Sequence, residues 1–350
     1  MLRSRILHKM TGIMLAFMLV ISLAGCGKDS KRTVPGDETK IIAVYEGGQV
    51  NEQEFNRYYY VDKYFNESLH EYYEQGDPDG FREQMLQTYI SFKILSARAD
   101  EDMRASTERD VEERVKEYEK QLKSNADAKK AWESKSEEWG IRMDDIGRYL
   151  MLQATAVNYV RSLATEEKMK ELYESTLATD PNAYTLATVR HVLVAFEPQG
   201  GEARTKEEAL QRAREVKAKL DAGADFAEIA KEYSDDPGSS AQGGRYVSNP
   251  VSDWVEPFKQ AVLALDIGEI SEPVETEYGY HVILVEQRKD QTYEEVKDLL
   301  QGQVVNQIYS EFMEDELPVL IQEIRLPNSE DGSEDAQDGA DSGDEADKAG

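Results

Sequence analysis

Two short apolar runs, VRHVLVAF (residues 189–196) and YGYHVILV (278–285), each carry a histidine at the mouth, with ninety residues between the two imidazoles. Both runs are β-branched and aliphatic, and short enough for buried strands rather than helices. With a period of two, His191 shares a face with Leu193 and Ala195, and His281 with Ile283 and Val285. The chain has only four histidines, so two near-identical strands opening on imidazoles constrain fold and chemistry together. A lone histidine at a strand end is ordinarily structural. A metal centre finds little support, because the single cysteine is Cys26 and neither HxH nor HExxH spacing occurs. A serine triad fails as well: no GxSxG is present, and Ser234, Ser239 and Ser240 lie in a loop without an elbow.

A net charge of −29 disfavours nucleic acid, whose phosphates are bound by positive surface. Residues 1–25 read as a leader. Arg3, Arg5 and Lys9 make a basic start, and Met10 to Gly25 is an uncharged, mostly apolar run, shorter than the ~20 residues of a spanning helix. LAGC (23–26) resembles a bacterial lipobox, which implies that Cys26 is diacylated on sulfur and becomes the mature N-terminus. The competing reading is an ordinary secretory peptide with a cysteine there by chance. An acylated Cys26 would attach the protein to the extracytoplasmic face of the cell membrane, at ~0.8 kcal/mol per buried CH₂.

Residues 26–40 are polar, contain Pro35 and Gly36, and are expected to form a flexible tether. IIAVYEGGQV then reads as a strand, a turn and a second extended piece, and Asn51 and Glu54 have the spacing of a capping box. From there a helical pattern runs to about residue 178, broken at GDP (76–78), SNAD (124–127) and WGIR (139–142). Seven aromatic residues between Tyr58 and Tyr73 are more than one buried face needs, and some could offer a surface to unfolded chains. After Tyr184 the texture changes to strands, short helices and Gly-rich loops, an α+β pattern of about 100 residues. Thr205 with Glu208 and Thr292 with Glu295 open two further helices. The second has a stripe of Tyr293, Val296, Leu300, Val304, Ile308 and Phe312, expected to bury against the helical region. The division is therefore a helical domain over 41–184, a sheet domain over 185–290, a returning helix over 291–327, and an acidic tail over 328–350 that cannot build a core.

Taken in order, VRHVLV, GADFAEIAKEYSDDPGSSAQGG and WVEPFKQAVLALDIGEISEPVETEYGYHVILV resemble the parvulin family of peptidyl-prolyl isomerases, from about Val189 to Val285. The resemblance implies a parvulin-like antiparallel sheet with helices, beside or inserted into an all-α chaperone-like region. It implies that His191 and His281 start adjacent antiparallel strands and meet at the centre of the sheet. Asp236 falls where the family has an acid or thiol beside the paired histidines. Thr276 matches a hydroxyl that joins their network. Trp254 and Phe258 match apolar side chains that hold the substrate proline ring, and Tyr280 precedes the second histidine as in several bacterial members. Tyr246 replaces a leucine on the pocket wall, because the family's Gly-Gly-Asp-Leu-Gly reads GGRYV here. The loop 197–207 holds only Arg204 and Lys206 amid acids, so no phosphate-reading cluster is expected. No cofactor or metal is called for.

With its leader, helical region and returning helix, the chain looks like extracytoplasmic foldase lipoproteins of the PrsA/SurA-like class. The activity implied is cis–trans isomerisation of X-Pro bonds in unfolded or partly folded exported polypeptides. The alternative is a binding chaperone whose parvulin unit is only a scaffold.

Overall fold

The computed structural model describes residues 34–326. The leader with Cys26 and the acidic tail lie outside the described residues. The chain divides into two compact units, with breaks between Thr165 and Glu166 and between Gln301 and Gly302.

The first unit opens with a hairpin of β1 (Ile41–Tyr45) and β2 (Gly48–Asn51). Asn51 then caps α1 (Glu52–Phe65), its side chain accepting the Glu54 amide at 2.8 Å. Next come α2 (Glu67–Gly76), α3 (Pro78–Ala97), α4 (Glu101–Ser124), α5 (Ala126–Trp139) and α6 (Met143–Leu163). The three expected breaks are present, Asp77 and Asn125 serving as caps. Two further breaks, at Asn66 and at Arg98–Asp100, lack Pro or Gly. Asp100 makes the second one by capping α4 through the Met103 amide. Most of the aromatic run is packed in the core. Tyr58 and Tyr59 are buried, Tyr64 bonds Tyr118 through paired hydroxyls, Tyr73 stacks on Phe81, and only Tyr72 is largely exposed, at 73%. Buried His70 ties α2 to α1 through Asp62, whose other oxygen accepts the Tyr149 hydroxyl of α6.

The expected tether is shorter than 26–40. Val34 is 3% exposed, Asn56 of α1 donates to the Pro35 carbonyl, and the Asp37 amide bonds Glu52. Polar composition concealed this docking, because it rests on one valine and on backbone groups.

The second unit starts with α7 (Glu166–Thr179), which the sequence reading had assigned to the helical domain. Then follow β3 (Thr185–Ala195), α8 (Lys206–Asp221), α9 (Phe226–Tyr233), β4 (Arg245–Pro250), α10 (Glu256–Ala264), β5 (Val274–Glu275) and β6 (Gly279–Asp290). The Thr205/Glu208 capping box starts α8. Helix α11 (Tyr293–Glu311) begins in this unit and ends in the first. A π-turn (Phe312–Glu316), α12 (Leu317–Leu320) and β7 (Ile321–Ile324) complete the first unit, β7 pairing with β1 to give the order β2-β1-β7.

Two rings explain why the boundary falls before α7. Tyr173 of α7 stacks on Tyr184 at 5.1 Å and meets Tyr293 edge-on at 5.9 Å, and its hydroxyl donates to the Gln291 carbonyl. The first turns of α11 are thus held by the sheet unit. In the first unit, by contrast, the Tyr309 hydroxyl bonds Ser91 and Glu316 pairs with Arg98.

The antiparallel sheet of the second unit runs β4-β3-β6-β5, so β3 and β6 are central. One face is sealed: Val192, Val194, Tyr280 and Val282 pack on Ala209, Ala213 and Val216 of α8 and on Phe226, Ile229 and Ala230 of α9. Each valine buried there contributes about 1.5–3 kcal/mol. The other face packs Ala187, Val189, Ile283 and Val285 against Val251, Phe258 and Val262.

A fragment of residues 166–301 should melt more than about 5 °C above one of residues 185–290, which lacks the Tyr173 and Tyr293 rings. Equal melting temperatures by circular dichroism would show that α7 adds nothing to this unit.

Candidate active site

Strand pairing makes the site. Leu193 lies opposite His281 and His191 opposite Ile283, so the two histidines are diagonal neighbours on the face of Phe258. His191 does not open its strand: β3 begins six residues earlier, with Thr185 and Thr188 buried and bonded to Asp290 and to the Ser248 amide. Two glycines permit the close approach. A Cβ on Gly244 (φ +74°) would lie 2.1 Å from the His191 carbonyl oxygen, and one on Gly279 (φ +150°) would lie 2.1 Å from that of Val194. The Gly244 carbonyl instead accepts the His191 amide at 2.8 Å.

The imidazoles are 4% and 5% exposed and stack at 16°, with Nδ1 facing Nδ1 at 3.1 Å. His191 Nε2 lies 3.0 Å from Asp236 Oδ2 and 3.0 Å from the Ser239 hydroxyl. At the other end, His281 Nε2 lies 3.0 Å from Thr276 Oγ1. Phe258 stands edge-on to both imidazoles, at 5.5 and 5.1 Å, and Trp254 packs on Phe258 at 5.1 Å. Tyr246 tilts against His191 at 5.3 Å, and its hydroxyl donates to Asp236 Oδ2 at 3.0 Å.

These contacts fix a direction. Burial pushes the Asp236 carboxyl up, but hydrogen bonds from His191 and Ser239, the His191 ring and the Gly238 amide hold it well below the usual carboxylate range. It is therefore an acceptor, and His191 Nε2 carries the proton. A neutral His191 would then accept at Nδ1 from His281 Nδ1–H, leaving His281 Nε2 to accept from Thr276. Burial first, and the neighbouring His191 second, push His281 down to about 3, so it is neutral at ordinary pH. Burial and the Asp236 charge push the Tyr246 hydroxyl up to about 12, so it stays a donor.

Of the residues singled out from sequence, His191, His281, Asp236, Thr276, Tyr246, Trp254 and Phe258 converge here. Tyr280 does not. It follows Gly279 in β6 and so points to the opposite face, buried with Val192 and Val282, its hydroxyl on Glu275. Ser239 was missed: fully buried, it donates to Asp236 as well as meeting His191. Its signal is the three-residue spacing from Asp236 across a Pro-Gly turn.

The arrangement has no activated nucleophile. It offers an apolar wall over a buried histidine pair with one carboxylate at its end. Such a site suits a reaction that deforms a bond without breaking it.

Residues 171–289 match the PPIC-type PPIASE domain model, and this segment is a parvulin-type peptidyl-prolyl isomerase domain. The chain that carries it is similar to PrsA/SurA-like parvulin foldases. It is 28% identical to foldase protein PrsA of Caldanaerobacter subterraneus subsp. tengcongensis, over 86% of this chain and 90% of that protein. It is 34% identical to foldase protein PrsA 3 of Bacillus anthracis, over 41% of this chain and 52% of that protein. Among solved structures it is similar to a peptidylprolyl isomerase (PrsA) from Bacillus cereus, at 24% identity and a TM-score of 0.40, over 81% of this chain and 92% of that one.

Acid should destabilise this domain in a defined window. His281 binds a proton near pH 6.5 when unfolded but only near pH 3 when folded, so the unfolded state gains protons first as pH falls. The neutral buried ring leaves stability intact above about pH 6.5, with a loss on the order of a few kcal/mol by about pH 3. Melting temperature should fall across that window in the wild type and fall less steeply in His281→Gln. Parallel curves would assign the acid sensitivity to other groups.

Proposed function

We propose that the chain is a lipid-anchored isomerase that speeds X-Pro rotation in exported polypeptides outside the cytoplasmic membrane. The observation that carries this reading is the unbroken chain from Thr276 through His281 and His191 to Asp236 beneath the Phe258 and Trp254 wall.

Rotating an X-Pro amide crosses a barrier of ~18–20 kcal/mol, because resonance is lost at the twisted state. Phe258 and Trp254 grip the proline ring, and Tyr246 closes the wall. The cavity favours the twisted amide over the planar one by shape and by field, with no covalent step. The network below holds that field fixed while the substrate turns. Arg204 is paired with Asp235 and Lys206 with Glu275, which supports substrates without a phosphate before the proline.

Anchoring rests on the lipobox-like LAGC. The relatives' name, foldase, supports unfolded polypeptides as substrates. No helix among the described residues is long and apolar enough to cross a membrane. Acylated at Cys26 and docked from Val34, the chain would have eight residue steps between lipid and folded unit, a reach of at most about 29 Å.

Two measurements test this. In a proline-limited refolding assay, Phe258→Leu should keep the fold yet lower kcat/KM about tenfold, since an aliphatic side chain loses the ring face that positions the substrate. Phe258→Ala would also cost about 3–5 kcal/mol of stability and is the poorer probe. A wild type that suppresses aggregation without catalysing refolding would favour the scaffold reading. Separately, Cys26→Ala should move the protein from the membrane fraction to the medium and abolish lipid labelling. Continued membrane association without label would remove the anchor.

A further inference from the structure

The Asp236 carboxylate is surrounded by more donors than a group that trades protons could use. Oδ2 accepts from His191 Nε2 at 3.0 Å, from the Tyr246 hydroxyl at 3.0 Å and from the Ser239 hydroxyl, while Oδ1 accepts the Gly238 amide at 3.1 Å. Three donors therefore crowd Oδ2, which has two lone pairs, and one reaches Oδ1. They come from rigid places. The Ser239 carbonyl accepts the amides of Gln242 and Gly244, which pins its turn, and Tyr246 lies opposite Val189 in the sheet. The neighbouring Asp235 does not compete, because it faces away to Arg204 and the Ala195 amide.

We propose that Ser239 and Tyr246 are positioning residues for the isomerase site: their donors on Oδ2 hold Asp236 as an ionised acceptor and so lock His191 in its Nε2–H form. The lock matters because of the 3.1 Å Nδ1–Nδ1 contact. With the proton on His191 Nε2, the two Nδ1 atoms are one donor and one acceptor. If His191 shifts its proton to Nδ1, either two N–H groups face each other or the chain reverses, and in the reversed chain Thr276 turns its hydroxyl to the Gly279 carbonyl, 3.3 Å away. The stacked pair that supports Phe258 would then have two arrangements instead of one. Tyr246 serves here through its oxygen, a role distinct from its ring on the pocket wall. Leucine, which the sequence comparison expected at 246, could supply the wall but not the donor.

This inference rests on the isomerase reading, and the test separates the two. The mature chain, labelled with ¹⁵N-histidine, would be compared as wild type, Tyr246→Phe, Tyr246→Leu, Ser239→Ala and Tyr246→Phe/Ser239→Ala. Ring-nitrogen shifts report the tautomer of His191, and kcat and KM are measured on an X-Pro peptide. The wild type should show His191 as the Nε2–H form alone. The double variant should show a tautomer mixture and a kcat lower by about tenfold, as expected for lost hydrogen bonds to a charged group, with KM changed less than about twofold. Tyr246→Phe should share the tautomer mixing of Tyr246→Leu, although it keeps the ring. Wild-type tautomer shifts and kcat in the double variant would overturn the proposal. So would a change confined to KM in Tyr246→Leu, which would make Tyr246 a wall residue only. A wild type with the single tautomer but no catalysis would sink the isomerase reading and leave the lock in place.

Discussion

Two imidazoles whose Nδ1 atoms lie 3.1 Å apart inside a sheet cannot both be cations, and the features around them follow from that restriction. His281 is neutral, and each ring nitrogen needs a partner because both rings are buried. One carboxylate at one end and one hydroxyl at the other meet both demands: Asp236 settles which nitrogen of His191 carries a proton, and the choice passes through His281 to Thr276. Phe258 covers both rings edge-on, and the burial it contributes to helps hold His281 down at about 3. The apolar wall and the electrostatic character of the site are thus one feature seen from two sides.

What the sequence made legible was whatever depended on local pattern. Period-two apolar runs gave β3 and β6, and capping spacings gave the starts of α1, α8 and α11. What it hid depended on partners far along the chain. Strand β7 reads as an unremarkable IQEI before an acidic tail, and becomes a strand only because Ala43, some 280 residues earlier, lies opposite Ile324. Helix α7 has the same texture as the helices before it, and contacts of Tyr173 with Tyr184, Tyr293 and Gln291 tie it to the other unit.

The site followed the same rule. Asp236, His191, His281 and Thr276 were recoverable as a resemblance in order and type. Tyr280 was carried over from the resemblance by its place before the second histidine, but neighbours in a strand occupy opposite faces. Ser239 was set aside as a nucleophile and given no other role because a serine in a Gly-rich loop is ordinary, and its burial comes from the turn that Gly243 and Gly244 make against β3.

A reaction that forms no bond to its substrate places few demands on the identity of any one residue and strict demands on how residues match. The position of Asp236 is one where a parvulin can carry an acid or a thiol. In this chain a thiol would be out of place: a sulfur is a weak acceptor, and the hydroxyls of Ser239 and Tyr246, with the Gly238 amide, would be left aimed at it in a half-buried site. With the carboxylate present, the same three donors stabilise the charge against its burial. Tyr246 and Asp236 are therefore best understood as a matched pair, each residue costly without the other. Departure from leucine at 246 need not signal a decayed site, because the added hydroxyl is used.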